Sequence, residues 1–336
     1  ARSTTCTTVV APVRLTVNFN YATMVCLPKK AAGTHPKFGE FYTPETTRPL
    51  SIVNTDNRIL AIAGQIRVEK AAKDWVSEMQ QGFIGGRSMA ENILKVDLAA
   101  KVVLKHRAYD DDDPSRCGAI VLFDFKAAFP SVDQGFLLKA LRRFGLNENW
   151  CKYVSKLYKG NLQKIGNPDD TDGFIADTGI RQGCPLSPIL FAIVADLLLR
   201  KLQSEFPTST IRAFADDTAM VIDDMRMLPR IIAIFEEYAG FSNLGLNLKK
   251  TVVIPLTTGF ADTEKVKSKV LQSIGDRHVR AQVSQMLFTK AAKYLGVMIG
   301  PDAEKQAWND PLQKYVARSK RWAQLGLGLN WSVKMY

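Results

Sequence analysis

The stretch that decides the fold is IRAFADDTAMVI, residues 211–222, in which two short apolar runs flank Ala215-Asp216-Asp217. Apolar runs on both sides of a polar turn predict a β-hairpin with its acids at the tip. A second apolar run, residues 118–123, ends at Asp124 and is typical of a central strand that is buried on both faces. The sequence therefore places three carboxylates at the ends of apolar strands.

Other segments predict further regular structure. They are a basic amphipathic helix over 134–144, a helix from Ser187 to about Phe206, a helix over about 228–243 and a short strand over 294–299. Because helices and strands do not alternate regularly, we expect an α+β fold with an antiparallel sheet rather than a doubly wound one.

Composition narrows the class of protein. Of 336 residues 46% are hydrophobic, which excludes a disordered chain, and Lys+Arg outnumber Asp+Glu by 45 to 33. The longest apolar stretch, Ile189 to Leu199, is about half of the ~20 residues that a membrane span needs, and it contains Asp196. The five cysteines are scattered singly, so neither a disulfide framework nor a zinc site is indicated. A net charge of +12 favours a polyanionic partner such as nucleic acid, although solubility alone would also account for it.

The acids at the strand ends suggest a metal site. Carboxylates held within a few ångströms repel one another unless they are protonated or paired. Mg²⁺ prefers such hard oxygen ligands, and two ions about 3.5–4 Å apart can promote phosphoryl transfer. The simpler interpretation is that Asp216 serves the turn and Asp124 caps a neighbouring group.

The loop before the helix at Ser187 suggests an anion site. Residues 180–188, IRQGCPLSP, put a cation, an amide and a glycine directly before a helix start, where free backbone N–H groups favour an anion. An ordinary loop with a helix cap would explain the same residues.

Eight segments in order resemble the motifs of reverse transcriptases of the non-LTR (LINE-type) retrotransposon branch. They are MVCLPKK at 24–30, RPLSI at 48–52, QGFIGGRS at 81–88, LFDFKAAF at 122–129, RQGCPLSP at 181–188, FADD at 214–217, LNLKKT at 246–251 and YLGV at 294–297. The resemblance covers nearly the whole chain. It implies a right-hand polymerase fold with an antiparallel palm sheet, helices behind it, a fingers lobe and the start of a helical thumb.

The resemblance also implies catalytic residues and a cofactor. Asp124 and Asp216 would ligate two Mg²⁺ ions, for which Mn²⁺ could substitute, with Asp217 as a weaker ligand. The primer 3′-hydroxyl would attack the α-phosphate of a dNTP, and Lys250, or Lys249 beside it, would protonate the departing pyrophosphate.

Binding residues follow from the same resemblance. Those assigned to the dNTP are Arg48 and Lys30, or Lys29, at the triphosphate, Phe129 under the sugar, and Gln182 and Gly183 against the nucleotide. Those assigned to template and primer are Gln81, Arg181, Tyr294, Leu295, Gly296, Arg318 and Arg321.

The predicted domains are fingers over 1–115, palm over 116–300 with fingers-side helices within about 134–180, and a truncated thumb over 301–336. The predicted function is RNA-directed DNA synthesis from an RNA template, a DNA or RNA primer and dNTPs, with no membrane partner and other ribonucleoprotein proteins as additional partners. One alternative is a domesticated domain that acts as a structural or RNA-binding part of a ribonucleoprotein, and another is a group II intron maturase. A retroelement enzyme would be intracellular and nuclear, whereas a domesticated one could be mitochondrial.

Overall fold

The computed structural model describes residues 18–106, 113–165, 173–257 and 262–324. Its strands are β1 Ala22–Pro28, β2 Gly33–His35, β3 Gly39–Phe41, β4 Thr47–Val53, β5 Ala119–Phe123, β6 Leu162–Ile165, β7 Gly173–Ile175, β8 Thr210–Phe214, β9 Asp217–Ile222, β10 Val252–Pro255, β11 Leu287–Phe288, β12 Ala292–Tyr294 and β13 Val297–Ile299. Its helices are α1 Thr55–Trp75, α2 Met89–His106, α3 Ala128–Ser131, α4 Gln134–Arg143, α5 Glu148–Tyr158, α6 Ser187–Glu205, α7 Leu228–Ser242, α8 Thr263–Ser273, α9 Arg277–Gln285, α10 Ala303–Gln306 and α11 Asn309–Ala323.

Two compact units make up the chain. The first consists of the chain up to Ala71 and of Phe129–Leu190, and the second of Ala72–Ala128 and the chain from Phe191 onward. Residues 1–17 of the predicted fingers and 325–336 of the predicted thumb lie outside the described residues. The residue bounds of the fingers, palm and thumb stay a prediction.

The second unit is built on a five-stranded sheet with the order β11-β10-β5-β9-β8. Its strand pairs are antiparallel except for the parallel pair β10–β11. All five residues of β5 are buried, as the continuous apolar run predicts for a central strand. The predicted antiparallel α+β sheet is thus confirmed.

Apolar side chains on both faces of this sheet hold the second unit together. On one face Val96 and Ala100 of α2 pack with Ile120 and Leu122 of β5. On the other side Phe123 packs against Phe235 of α7, with ring centroids 4.5 Å apart. Such aromatic pairs contribute about 0.5–1.5 kcal/mol beyond the burial of their area, so both ends of β5 are fixed by packing.

The first unit contains a four-stranded sheet with the order β4-β1-β6-β7. The antiparallel pair β1–β4 runs from Ala22 opposite Val53 to Pro28 opposite Thr47. The Tyr153 hydroxyl of α5 donates to the Leu60 carbonyl of α1 and so ties these two helices together.

Most predicted helices begin and end where their capping residues indicate. The Asp133 carboxylate accepts from the Phe136 N–H at the start of α4, at 2.6 Å. Helix α6 begins at Ser187 and ends at Glu205, close to the predicted end at Phe206. The local sequence pattern was therefore sufficient to predict the bounds of these two helices to within about one residue.

The single strand predicted over 294–299 is wrong. The structure has a hairpin there, in which β12 and β13 pair and Tyr294 lies opposite Val297. Leu295 and Gly296 form the turn with φ of +48° and +90°. A tight two-residue hairpin turn of this kind requires positive φ at both positions, and glycine adopts it at no steric cost.

No helix within the described ranges is both long and apolar enough to cross a membrane.

Candidate active site

Three acids lie at one end of the central strands of the second unit. Phe214 pairs with Asp217 in the β8–β9 ladder, so Ala215 and Asp216 form a two-residue turn. Phe123 pairs with Thr218 in the β5–β9 ladder, and the next step of that register brings Asp124 opposite Asp217. Strand pairing therefore brings Asp124 near Asp216 and Asp217, which follow it by 92 and 93 residues in the sequence.

The acids repel one another. The pKa of the Asp217 carboxyl is raised above its ordinary value by partial burial and by the negative charges of Asp216 and Asp124. The pKa of the buried Tyr294 phenol is raised by burial and, more weakly, by the charge of Asp217. A cation at this strand end would relieve the repulsion.

The donor set fits a hard divalent cation. Carboxylate oxygens are the ligands that Mg²⁺ prefers, and the ion is commonly held by one or two carboxylates together with substrate phosphates. In the described part of the chain no group of three or more His, Cys, Asp or Glu side chains could hold a metal ion by itself. The acids therefore suit an ion that shares its coordination with a phosphate substrate.

Two buried amides that the sequence analysis missed bind the backbone near these acids. Gln80 Nε2 donates to the Ala215 carbonyl at 3.1 Å, and Gln80 Oε1 accepts from the Ala215 N–H at 2.9 Å. Asn92 Nδ2 of α2 donates to the Ala213 carbonyl at 2.9 Å. Both side chains are fully buried. Asn92 shares the four-residue spacing of the buried Val96 and Ala100 on α2, which is a signal in the sequence, whereas the polar residues around Gln80 give none.

The loop that carries Lys249 and Lys250 lies beside Asp124. The Asn247 N–H donates to the Asp124 carbonyl at 2.7 Å, and the Lys126 N–H donates to the Gly245 carbonyl at 2.8 Å. The turn that follows exposes both lysines to solvent. The structure therefore brings this cationic turn close to the acid-bearing strand.

Residues assigned to the nucleotide gather in the first unit. Arg48 is exposed on β4 opposite Leu27. The Lys29 N–H donates to the Thr46 carbonyl at 2.9 Å, so the exposed Lys29 and Lys30 lie at the same end of this ladder.

The loop that carries Gln182 and Gly183 packs against β4, the strand that carries Arg48. The Ser51 N–H donates to the Gln182 carbonyl at 2.9 Å. Gly183 has a φ of +103°, and a Cβ there would lie 2.8 Å from the Leu50 Cδ1. Only glycine suits both this conformation and this close approach.

Phe129 is linked to the same loop through its backbone. The Ile180 N–H donates to the Phe129 carbonyl at 2.8 Å, two residues before Gln182. The Phe129 side chain is half-buried. Within the first unit the chain therefore connects Phe129, the 180–183 loop and the strand of Arg48.

Two residues assigned to the template are buried. Arg181 is 3% exposed and donates to the Leu157 carbonyl at 2.6 Å. Gln81 is 4% exposed, and its amide donates to the Glu78 carbonyl at 2.9 Å. Both side chains are therefore held inside the protein by backbone carbonyls rather than presented on its surface.

The remaining template and primer candidates lie in two places of the second unit. Tyr294 is buried, whereas the turn residues Leu295 and Gly296 that follow it are half-buried and exposed. Arg318 and Arg321 are exposed on α11.

The sequence model of the family described as reverse transcriptase (RNA-dependent DNA polymerase) matches residues 27–299. The chain belongs to this family. The match begins near the end of β1 and ends with β13, so it includes Asp124, Asp216 and Asp217. A reverse transcriptase domain, predicted from the motifs, is confirmed, and members of this family generally use divalent metal ions.

Curated relatives identify the branch. The chain is 28% identical over 269 residues to the Pol polyprotein of the type-2 retrotransposable element R2DM of Drosophila melanogaster, which covers 78% of this chain and 24% of the relative. It is 28% identical to the transposon TX1 149 kDa protein of Xenopus laevis, over 64% of this chain and 17% of the relative. The predicted non-LTR branch is confirmed, and this reverse transcriptase chain spans about a quarter or less of these relatives.

Solved structures confirm the polymerase fold. The apo telomerase of Candida tropicalis that lacks its C-terminal domain superposes with a TM-score of 0.55 and 13% identity, over 84% of this chain and 53% of the telomerase. The telomerase of the same species with a fragment of telomeric RNA gives a TM-score of 0.54 and 12% identity, over 75% and 43% of the two chains. At this identity the likeness establishes the right-hand polymerase fold alone.

Proposed function

We propose that this chain catalyses RNA-directed DNA synthesis for a non-LTR retroelement, extending a DNA or RNA primer on an RNA template. The observation that carries the proposal is the pairing of β5 and β9, which brings Asp124 opposite Asp217 beside the Asp216 turn. Without a bound cation, carboxylates held this close destabilise the fold, because they repel one another.

Asp124 and Asp216 would hold two Mg²⁺ ions, or Mn²⁺ in their place, and Asp217 would be the weaker ligand. When bound, such ions lower the pKa of an attacking hydroxyl and neutralise charge on the leaving oxygen. The chain's own part is to keep the carboxylates at fixed spacing. The primer 3′-hydroxyl would lose its proton to solvent as its oxygen attacks the α-phosphorus of the dNTP, the bond from that phosphorus to the bridging oxygen would break, and pyrophosphate would leave.

The first unit would supply nucleotide binding. Arg48 has the planar guanidinium that suits bidentate phosphate recognition, and Lys30 and Lys29 add charge at the same end of β4. Gln182 and Gly183 would lie against the nucleotide, and Phe129 would exclude a ribose 2′-hydroxyl. We assign Arg181 and Gln81 to the shaping of their own loops, since their side chains are buried and bonded within them.

Lys250, or Lys249 beside it, would donate a proton to the leaving pyrophosphate. Both are exposed on the turn that follows the Asn247 bond to Asp124. The Tyr294-Leu295-Gly296 turn would hold the primer end, and Arg318 and Arg321 of α11 would contact duplex phosphates without reading sequence.

The rival function is a domesticated scaffold that binds RNA without catalysis. Burial and the neighbouring charges of Asp216 and Asp124 raise the pKa of Asp217, and once no metal is needed selection has no reason to retain such a carboxylate cluster. The full set Asp124, Asp216 and Asp217 therefore favours the polymerase over the scaffold. A retroelement enzyme would act in the nucleus, whereas a domesticated one could act in a mitochondrion.

Primer extension on an RNA template with dNTPs and Mg²⁺ tests the proposal. We expect Asp216→Ala to lower the extension rate at least about 10³-fold, because metal stabilisation of charge amounts to several kcal/mol. The matched control is Asp97→Ala, which removes an exposed carboxylate of α2 that pairs with Lys101 at 2.7 Å. Its rate should stay within about two-fold, since exposed pairs contribute little.

RNA binding is measured in the same samples. Wild-type protein that binds the template firmly but extends no primer would contradict the polymerase and support the scaffold.

A further inference from the structure

The Asp216 turn is held by a side chain from outside its own hairpin. The segment Met79–Gly82 runs beside the end of β8, where the Ala213 N–H donates to the Met79 carbonyl at 2.8 Å and the Gln81 N–H donates to the Ala213 carbonyl at 2.7 Å. From this segment the fully buried Gln80 amide bonds to both backbone groups of Ala215. Gln80 is therefore the direct partner of the residue that precedes Asp216.

Ala215 needs such a partner. Its φ is +58°, a left-handed conformation that costs free energy for a residue with a Cβ. It is also 5% exposed, so its N–H and carbonyl have little access to water. In a two-residue hairpin turn the central residues lie outside the strand ladder, and Gln80 supplies the bonds that the ladder does not.

The segment that carries Gln80 is itself fixed. Gln80 Oε1 also accepts from the Gly82 N–H at 2.9 Å. A Cβ on Gly82 would lie 2.2 Å from the Ala215 nitrogen, so the two backbones are in direct contact. Arg87 Nη1 donates to the Gln80 carbonyl at 2.6 Å, and Arg87 Nη2 donates to the Val76 carbonyl at 2.7 Å.

We propose that Gln80 is a positioning residue for catalysis, which fixes the Asp216–Asp217 turn in the spacing that the metal-bound state requires. It acts through Ala215 and touches no substrate. The proposal rests on the proposed polymerase function, because it assigns to Gln80 a role in that same site. A fixed turn means that the carboxylates need not reorder when the cation and the dNTP bind.

Gln80→Met tests this role, because methionine is similar in length and makes none of the three bonds. We expect hydrogen exchange of the Ala215 amide, measured on peptides within 210–218, to be faster by about ten-fold or more. The Kd for Mn²⁺, read from the free-ion EPR signal, should rise about ten-fold. In primer extension kcat should fall by about 10²-fold while KM for the dNTP changes less than about three-fold.

Gln282→Met is the matched control. Gln282 is a buried amide of α9, and its hydrogen bond goes to Glu236 of α7 rather than to the hairpin. We expect a similar loss of thermal stability with unchanged exchange at Ala215, Mn²⁺ affinity and kcat. If Gln80→Met behaves like this control, the positioning role is overturned and Gln80 is an ordinary core residue.

A second variant tests the same proposal if Gln80→Met does not fold. Gly82→Ala presses a methyl group onto the Ala215 nitrogen from the same segment, and it should also speed exchange of the turn and weaken Mn²⁺ binding. Unchanged values in folded Gly82→Ala protein would overturn the proposal. The exchange measurement needs no catalysis, so wild-type protein without polymerase activity would contradict the proposed function and still leave the role of Gln80 decided.

Discussion

Phe129 is the residue on which sugar selection depends in the proposed site. Its ring is half-buried, and its carbonyl accepts from the N–H of Ile180, two residues before Gln182. A ring under the sugar excludes a 2′-hydroxyl by contact, so Phe129→Ala should admit ribonucleotides. We expect the ratio of kcat/KM for dCTP over CTP to fall by at least about ten-fold, since a change of pocket volume is worth 10- to 200-fold.

Phe241→Ala is the control for Phe129→Ala. Phe241 is 70% exposed at the end of α7, and its loss should leave the sugar ratio unchanged. If Phe129→Ala extends primers with the wild-type ratio, the steric wall lies on another residue and Phe129 belongs to the core.

Neighbouring residues show how far a sequence can assign roles. The sequence predicted Asp124, Asp216 and Asp217 because acids at the ends of apolar runs conflict with burial. The resemblance assigned Gln81 to the template and gave Gln80 no role, because in an irregular segment no periodicity shows which of two adjacent amides faces the hairpin. It placed Arg181 at the template, whereas burial and the Leu157 carbonyl hold that guanidinium inside the first unit. Side-chain direction in loops depends on tertiary contacts that one sequence does not contain.

The α11 helix presents a basic face. Lys314, Arg318 and Arg321 follow at spacings of four and three residues, which puts them on one side of the helix, and all are exposed. Each phosphate that a cation neutralises contributes about 0.9 to the slope of log K against log salt. The double variant Arg318→Ala with Arg321→Ala should therefore lower that slope by roughly 2 on a primer–template duplex, measured by fluorescence anisotropy.

Lys269→Ala with Arg277→Ala removes the same charge from exposed positions on α8 and α9. This control should change the slope by less than about half as much. Equal changes in the two double variants would mean that net charge, rather than the α11 face, sets the salt dependence.

Secondary-structure elements were predictable where local chemistry determines them. The Asp133 cap of α4, the Ser187-Pro188 start of α6 and the apolar runs of β5, β8 and β9 can each be recognised from a few neighbouring residues. The hairpin at Leu295-Gly296 was missed, because the two strands have only three residues each and read as one apolar run. The division into two units that each combine separate stretches of chain was also beyond the sequence, since it depends on long-range strand pairing.

At the scale of the whole molecule a surplus of positive charge coexists with a concentrated negative site. The net charge of +12 belongs to the chain as a whole, whereas Asp124, Asp216 and Asp217 stand together at one strand end. Bound cations would turn that strand end from a repulsive to an attractive site for the polyanionic substrates that the rest of the surface favours. In the metal-free protein, repulsion within the acid cluster should therefore lower the thermal stability.

Asp217→Asn tests that link through thermal unfolding in EDTA. Because the folded-state pKa of Asp217 lies above its ordinary value, its contribution to stability is fully present below the unfolded-state pKa and is lost as pH rises through the folded-state pKa. The variant lacks this loss, so its Tm should exceed that of wild type at neutral pH, and the difference should shrink toward pH 4. Added Mg²⁺ should narrow the difference by pairing the wild-type carboxylates. Asp97→Asn, which removes an exposed partner of Lys101, should show no such gain. A Tm for Asp217→Asn below that of wild type in EDTA at neutral pH would mean that this carboxylate stabilises the fold, and the repulsion argument for a metal site would fail.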